Sequence, residues 1–152
     1  MTEDNEAFLE AYLSARRGMV DAALNKYMPA EDAYPPEIFK AMHYSLFAGG
    51  KRLRPILCLA AAEAVGGDIE RIMPVACALE LIHTYSLIHD DLPAIDNDDY
   101  RRGMPTSHKV FGEGMAVLAG DALLTEAFHL MSRQDLMADI NPSLLLTVIN
   151  EV

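Results

Sequence analysis

Apolar side chains recur at three- and four-residue intervals through nearly the whole chain and no segment alternates as a strand would, which restricts the fold to packed helices. The first run, Phe8, Leu9, Tyr12, Leu13, Met19, Val20, Ala23, Leu24 and Tyr27, predicts an amphipathic helix over roughly residues 5 to 27. Proline and glycine punctuate the rest. Pro35 and Pro36 suit a helix start, Ile38, Phe39, Met42, Leu46 and Phe47 form its apolar side, and Gly49 and Gly50 stop it. Pro55 opens a third helix that Gly66 and Gly67 close. Asp68 begins a short turn, and Pro74 fits the first turn of a long helix to about Asp91, where Pro93 prevents simple continuation. Residues 92 to 111 read as a polar loop, and a further helix is expected over roughly 114 to 132. Asn141 and Pro142 make an N-cap and first-turn pair for a last helix. The expected fold class is all-α.

The 152 residues, 51% of them hydrophobic, suffice for one domain with a core. Twelve basic against twenty-three acidic residues give a formal charge of -11, which argues against general nucleic-acid binding and against an anionic membrane surface. Cys58 and Cys77 lie in apolar surroundings without metal-ligand spacing, so both are expected as buried thiols. The acidic N-terminus is unlike a targeting sequence, and no apolar run is expected to approach a membrane span. These features predict a cytoplasmic protein without membrane contact. Leu144, Leu145, Val148, Ile149 and Val152 hold helical spacing to the final residue without a terminating glycine, so the chain reads as cut within a helix.

Chemistry concentrates in two places. Asp90, Asp91, Asp96, Asp98 and Asp99 crowd into ten residues, followed by Arg101 and Arg102. Such carboxylates repel one another unless cations neutralise them, and they suit Mg2+, which takes one or two protein carboxylates, several waters and substrate phosphate oxygens. The arginines suit the same phosphate. Asp90 and Asp91 end a helix, where the macrodipole disfavours acid, and Pro93 lets the backbone turn so that Asp90 and Asp96 approach one metal cluster. A solvated acidic loop is the bland alternative. A calcium loop of EF-hand type fails because Tyr100 and Arg101 stand where a ligand and a glycine are required.

The second place is Gly49-Gly50-Lys51-Arg52-Leu53-Arg54-Pro55, three cations between two glycines and a helix start. Glycines allow close backbone approach to a ligand, and a helix N-terminus attracts an anion. It is no Walker A loop, since Arg52 replaces the Ser/Thr and Ser45 the first glycine. A solubilising basic turn is the ordinary alternative, but in so acidic a chain anion binding is the better reading. His83 and His89 stand on the helix leading to the aspartates, six residues apart and not on one face. His43, His108 and His129 receive no role.

Together Gly-Gly-Lys-Arg-Leu-Arg-Pro and Asp-Asp-Leu-Pro-Ala-Ile-Asp-Asn-Asp-Asp-Tyr-Arg-Arg-Gly closely resemble the trans-prenyl diphosphate synthases, particularly the bacterial farnesyl diphosphate synthases. The likeness covers most of residues 40 to 130, including His-Thr-Tyr-Ser-Leu-Ile-His and Ala-Gly-Asp-Ala-Leu-Leu. It implies an antiparallel helical bundle around a central cavity, usually homodimeric, joining isopentenyl diphosphate to an allylic diphosphate. By motif position, Asp90 and Asp96 would bind the Mg2+ ions that hold the allylic diphosphate, with Asp91 in support and Arg101 contacting that diphosphate. Lys51, Arg54, His83 and Arg102 would hold isopentenyl diphosphate. Tyr85 lies about 7.5 Å before Asp90 at 1.5 Å per helical residue, and family members with C15 products often carry an aromatic there. Tyr85, with Ser86 beside it, is therefore the expected limit on product length, against the reading of an ordinary core tyrosine.

The departure from the family is a missing half. No second aspartate-rich motif follows residue 103; Lys109 and Arg133 are the only Lys or Arg residues beyond it, and Asp121, Asp135 and Asp139 stand isolated. The resemblance makes residues 1–152 the N-terminal portion of a single domain, with little or no synthase activity expected of it alone. Alternatives are a geranylgeranyl diphosphate synthase, a terpene cyclase, which has no need of the Lys51 to Arg54 site, and a non-catalytic dimerising fragment or subunit.

Overall fold

A computed structural model describes residues 3–137 and 140–152, so Asp139 lies outside the described residues. The amphipathic stretches form α1 (Glu3–Tyr27), α2 (Pro36–Leu46), α3 (Leu53–Ala64), α4 (Ile69–Asp90), α5 (Ser107–Phe111), α6 (Glu113–Ser132), α7 (Gln134–Met137) and α8 (Pro142–Glu151). The all-α expectation holds, with one exception inside the expected polar loop. There β1 (Tyr100–Arg101) and β2 (Met104–Pro105) form a two-stranded antiparallel hairpin, Tyr100 opposite Pro105 and Arg101 opposite Met104. Its two-residue turn is Arg102-Gly103, with φ of 54° and 79°, the positive pair that a type I′ turn demands.

The bundle is built round α4. Val75, Ala76, Cys77 and Ala78 are all buried in succession, so this part of the helix is enclosed on every side. α1 and α3 pack on it and on each other, and α6 makes the most extensive contact. The α6 face toward the core carries Ala116, Ala119, Gly120, Leu123 and Ala127, small enough to let two helix backbones approach closely. At Gly120 an added Cβ would fall on the His89 ring. Contrary to the expectation of no membrane-length run, α4 is long and apolar enough to cross a membrane, but more than half of its most apolar stretch is buried among the other helices. Burial on all sides gives a core helix that composition.

Helix starts also depart from the proline positions. α4 begins at Ile69, because the Asp68 side chain accepts the Glu70 N–H at 2.9 Å and caps it. Pro74 is thus the sixth helical residue rather than part of the first turn, and its ring is buried. α3 begins two residues ahead of Pro55, which still falls where no intrahelical N–H bond is lost. Asn141 caps α8 as expected, its Oδ1 accepting from the Ser143 N–H at 2.9 Å. Cys77 is buried, whereas Cys58 is only half-buried on α3, a correction to the expectation of two core thiols.

Candidate active site

The basic loop joins α2 to α3 through positive φ angles at Gly49 (88°), Gly50 (145°) and Arg52 (51°). Its three cations do not act alike. Lys51 and Arg54 are exposed, but Arg52 turns inward and is only 4% exposed. Its Nε donates to Asp21 Oδ1 at 2.8 Å, Nη1 to Glu80 Oε1 at 2.9 Å and Nη2 to the Leu46 carbonyl at 2.8 Å. Burial works against its charge, while the bonds it donates to Glu80 and Asp21, with their charges, outweigh that and raise its pKa. Lys51 and Arg54, the two loop cations that the resemblance assigns to the diphosphate, thus stay at the surface, whereas Arg52 is spent on carboxylate pairing.

Lys51, Arg54, His83 and Arg102, separated by up to 51 positions, come together on one open cleft of about 560 Å3, and Arg17 of α1 joins them. Arg17 was not foreseen: nothing in its local sequence separates it from Arg16, which pairs with Glu63 instead. The His83 pKa is lowered, first by burial and then by the Arg54 charge. At Gly50 a Cβ would meet the Arg102 guanidinium, so the loop comes as close to Arg102 as only glycine allows.

At the other end of α4, Asp90 is the exposed last helical residue and Asp91 the buried C-cap. The chain then folds back, with the Asp96 N–H donating to the Asp90 carbonyl at 2.9 Å, as the Pro93 turn predicts. Asp91 is not free to bind metal. Both its oxygens accept from Arg101 Nε, at 2.9 and 3.0 Å, and Oδ1 also from Arg101 Nη2 at 2.7 Å. This bond is the largest contribution to the raised Arg101 pKa. Asp99 pairs with Lys109 at 2.7 Å, and the Thr106 hydroxyl donates to the Asp98 carbonyl at 2.8 Å.

The hairpin links the two places. Arg101 is gripped by Asp91, while its neighbour Arg102 donates from Nη1 to the Gly49 carbonyl of the basic loop. Both arginines line a narrow cavity of about 40 Å3 with Asp91 and Thr84. Tyr85 and Ser86 do not join this group. Tyr85 is half-buried and packs edge-on against His89 with ring centroids 4.7 Å apart, and the Ser86 hydroxyl donates to the His83 carbonyl at 2.9 Å.

The donor set fits Mg2+. Among the described residues Asp90 and Asp96 have no ion-pair partner for their carboxylates, and no three acidic, histidine or cysteine side chains converge into a full cage. Two hard-oxygen ligands without protein ion-pair partners, near the Arg101 guanidinium, leave positions open for water or another oxygen donor, as this ion commonly requires.

A model of the polyprenyl synthetase family matches residues 35–152. The chain is 62% identical over 121 residues to a dimethylallyltranstransferase of Fischerella ambigua, covering 80% of this chain and 34% of that one. It is 56% identical to a geranylgeranyl diphosphate synthase of Cyanophora paradoxa over 126 residues, 83% of this chain and 41% of that one. It is likewise 56% identical to a farnesyl diphosphate synthase of Geobacillus stearothermophilus over 127 residues, 84% and 42% of the respective chains. The crystal structure of an FPP/GFPP synthase from Zymomonas mobilis superposes with a TM-score of 0.86 at 39% identity, over 95% of this chain and 51% of the other. The chain thus spans about a third to two fifths of the length of these curated relatives. With its motifs, helices and interhelical cleft all inside or beside the matched region, the chain belongs to the polyprenyl synthetase family.

Proposed function

We propose that this chain is the N-terminal portion of a Mg2+-dependent trans-prenyltransferase that joins isopentenyl diphosphate to dimethylallyl or geranyl diphosphate. The observation that carries the reading is the hairpin: Arg101 faces the aspartates and Arg102 the basic loop, so two diphosphate subsites adjoin. Asp90 and Asp96 hold the metal at the allylic subsite, and Arg101, fixed by Asp91, presents its remaining donors to the same diphosphate. Bound there, Mg2+ supplies neutralisation of the charge that builds on the departing diphosphate. Arg101 adds hydrogen bonds to that charge in the transition state. Lys51, Arg54, His83 and Arg102 orient isopentenyl diphosphate so that its alkene carbon, and not water, meets the allylic carbon.

We assign farnesyl diphosphate as the main product and Tyr85, with Ser86 beside it, as the limit on chain length; the aromatic bulk of Tyr85 one turn and a half before Asp90 supports this. Relatives named for geranylgeranyl diphosphate make the C20 product the alternative outcome. We place the protein in the cytoplasm as a homodimer. The exposed apolar side chains Val117, Leu118 and Phe128 on α6 support a covered face. A protein extended to the length of its relatives is expected to join geranyl to isopentenyl diphosphate, releasing one diphosphate from the geranyl carbon and keeping that of isopentenyl diphosphate in the product, only with Mg2+, and this chain alone to turn over little or nothing. Product from the extended protein in the presence of a chelator, or none with Mg2+, would overturn the assignment; robust product from the short chain would overturn the view that it is incomplete.

A further inference from the structure

We infer that Arg52 is the positioning residue of the basic subsite, its buried guanidinium holding the turn that presents Lys51 and Arg54 and tying that turn to α4 beside His83. The inference rests on the reading of the cleft as a diphosphate subsite. Three donors of one side chain reach three separate segments: Asp21 on α1 at 2.8 Å, Glu80 on α4 at 2.9 Å and the Leu46 carbonyl at the end of α2 at 2.8 Å. The Arg52 and Glu80 side chains are each only 3% exposed. Arg52 is also the N-cap of α3, in the left-handed region at φ 51° and ψ 36°, with no side-chain cap bond to hold it there. A non-glycine residue keeps that backbone only where its surroundings over-determine it, and here the guanidinium network does so.

Its effect reaches both walls of the cleft. Lys51 precedes Arg52 and Arg54 follows two residues later on the helix that Arg52 starts. Glu80 stands three residues before His83 on α4, so the pair sets the distance between the loop cations and the imidazole. Arg52 itself contributes little attraction to an anion, because Glu80 and Asp21 neutralise it. Lysine cannot substitute, since a single ammonium lacks the planar fork that meets three partners in different directions.

Calorimetric titration of this chain with inorganic pyrophosphate, without Mg2+, tests the inference in two variants that leave the net charge unchanged: Arg52→Lys, and the double variant Arg52→Met with Glu80→Met. Apolar replacement of a buried ion pair is often neutral for folding, so the double variant is expected to keep the helical content of the wild type, checked by circular dichroism before titration. Both are expected to bind pyrophosphate about tenfold more weakly, as a loosened supporting shell does. In NMR titrations pyrophosphate is expected to raise the His83 pKa in the wild type and to raise it less in both variants, a signature that a purely structural role would not move. Wild-type affinity and an undiminished His83 shift in the double variant overturn the positioning role while the cleft reading stands. A wild-type chain that binds no pyrophosphate overturns both.

Discussion

Asp91 and Arg101 face each other through a bidentate contact on a carboxylate that is only 4% exposed as a residue, the geometry in which arginine exceeds lysine most. Arg101→Lys is expected to keep the charge, lose the fork and cost about 1–2 kcal/mol of unfolding free energy in urea titration, at the low end for a charge-assisted bond because the guanidinium is partly exposed; an unchanged midpoint and slope would deny the contact its role. His83 has a pKa below the ordinary 6.5, chiefly through burial. Between that value and the lower folded-state pKa the unfolded chain binds more protons than the folded one, so stability is full above about pH 6.5 and is lost as pH falls from there through the folded-state pKa. His83→Gln is expected to flatten the pH dependence of stability between pH 7 and 5, read from melting curves. Cys77 is pushed up to about 12 by burial and Cys58 also raised by burial, but less enclosed. Iodoacetamide at pH 8 should label Cys58 slowly and Cys77 only on unfolding, and peptide mapping that finds Cys77 first would contradict the packing. At this scale the sequence exposed which residues carry charge but not which way they turn: Arg52 and Asp91 sit in motifs whose composition suits a ligand, and both are occupied by protein partners that lie up to 31 positions away.

Periodicity and capping made the helices legible, because burial of one face imposes a 3.6-residue spacing that the sequence displays directly. The hairpin and α5 were not legible. Strands of two residues carry no period, and only the Arg102-Gly103 turn signalled them, through a φ that glycine and few others accept. Pro74 misled for a related reason: its local cost of about 3 kcal/mol is outweighed by burial among the surrounding helices. The contact between α4 and α6 depends on small residues whose importance has no sequence period. Gly120 and Gly114 separate these effects, since a Cβ at Gly120 meets the His89 ring and one at Gly114 meets nothing within 4 Å. Glycine to alanine gains about 1 kcal/mol of helix propensity, whereas overpacking costs about 1–3 kcal/mol. Gly114→Ala is thus expected to melt above the wild type and Gly120→Ala below Gly114→Ala, with His89 released from the Val117 carbonyl that it meets at 3.1 Å. Equal melting temperatures for the two would mean that α4 and α6 are not so closely packed.

Across the whole molecule, two charged motifs forty residues apart along the chain become neighbours because α4 runs between them and the hairpin doubles back. Glu80 and His83 belong to the basic end of this arrangement and Asp90, with its C-cap Asp91, to the acidic end of the same 22-residue helix. The motifs themselves identified the family from sequence; the joint that brings them together, Arg102 on the Gly49 carbonyl, required the fold. In a protein of full family length, Tyr85→Ala is expected to extend products beyond C15, read by chromatography of the dephosphorylated prenols, whereas an ordinary core tyrosine would lower stability and leave product length unchanged. The most direct test of two adjoining but distinct subsites is titration of this chain with isopentenyl diphosphate in the absence of Mg2+, comparing wild type with Lys51→Ala/Arg54→Ala and with Asp90→Asn/Asp96→Asn. Binding should persist in the aspartate variant and disappear in the basic-loop variant. Binding that requires Mg2+ and the aspartates, and is indifferent to Lys51 and Arg54, would contradict the account.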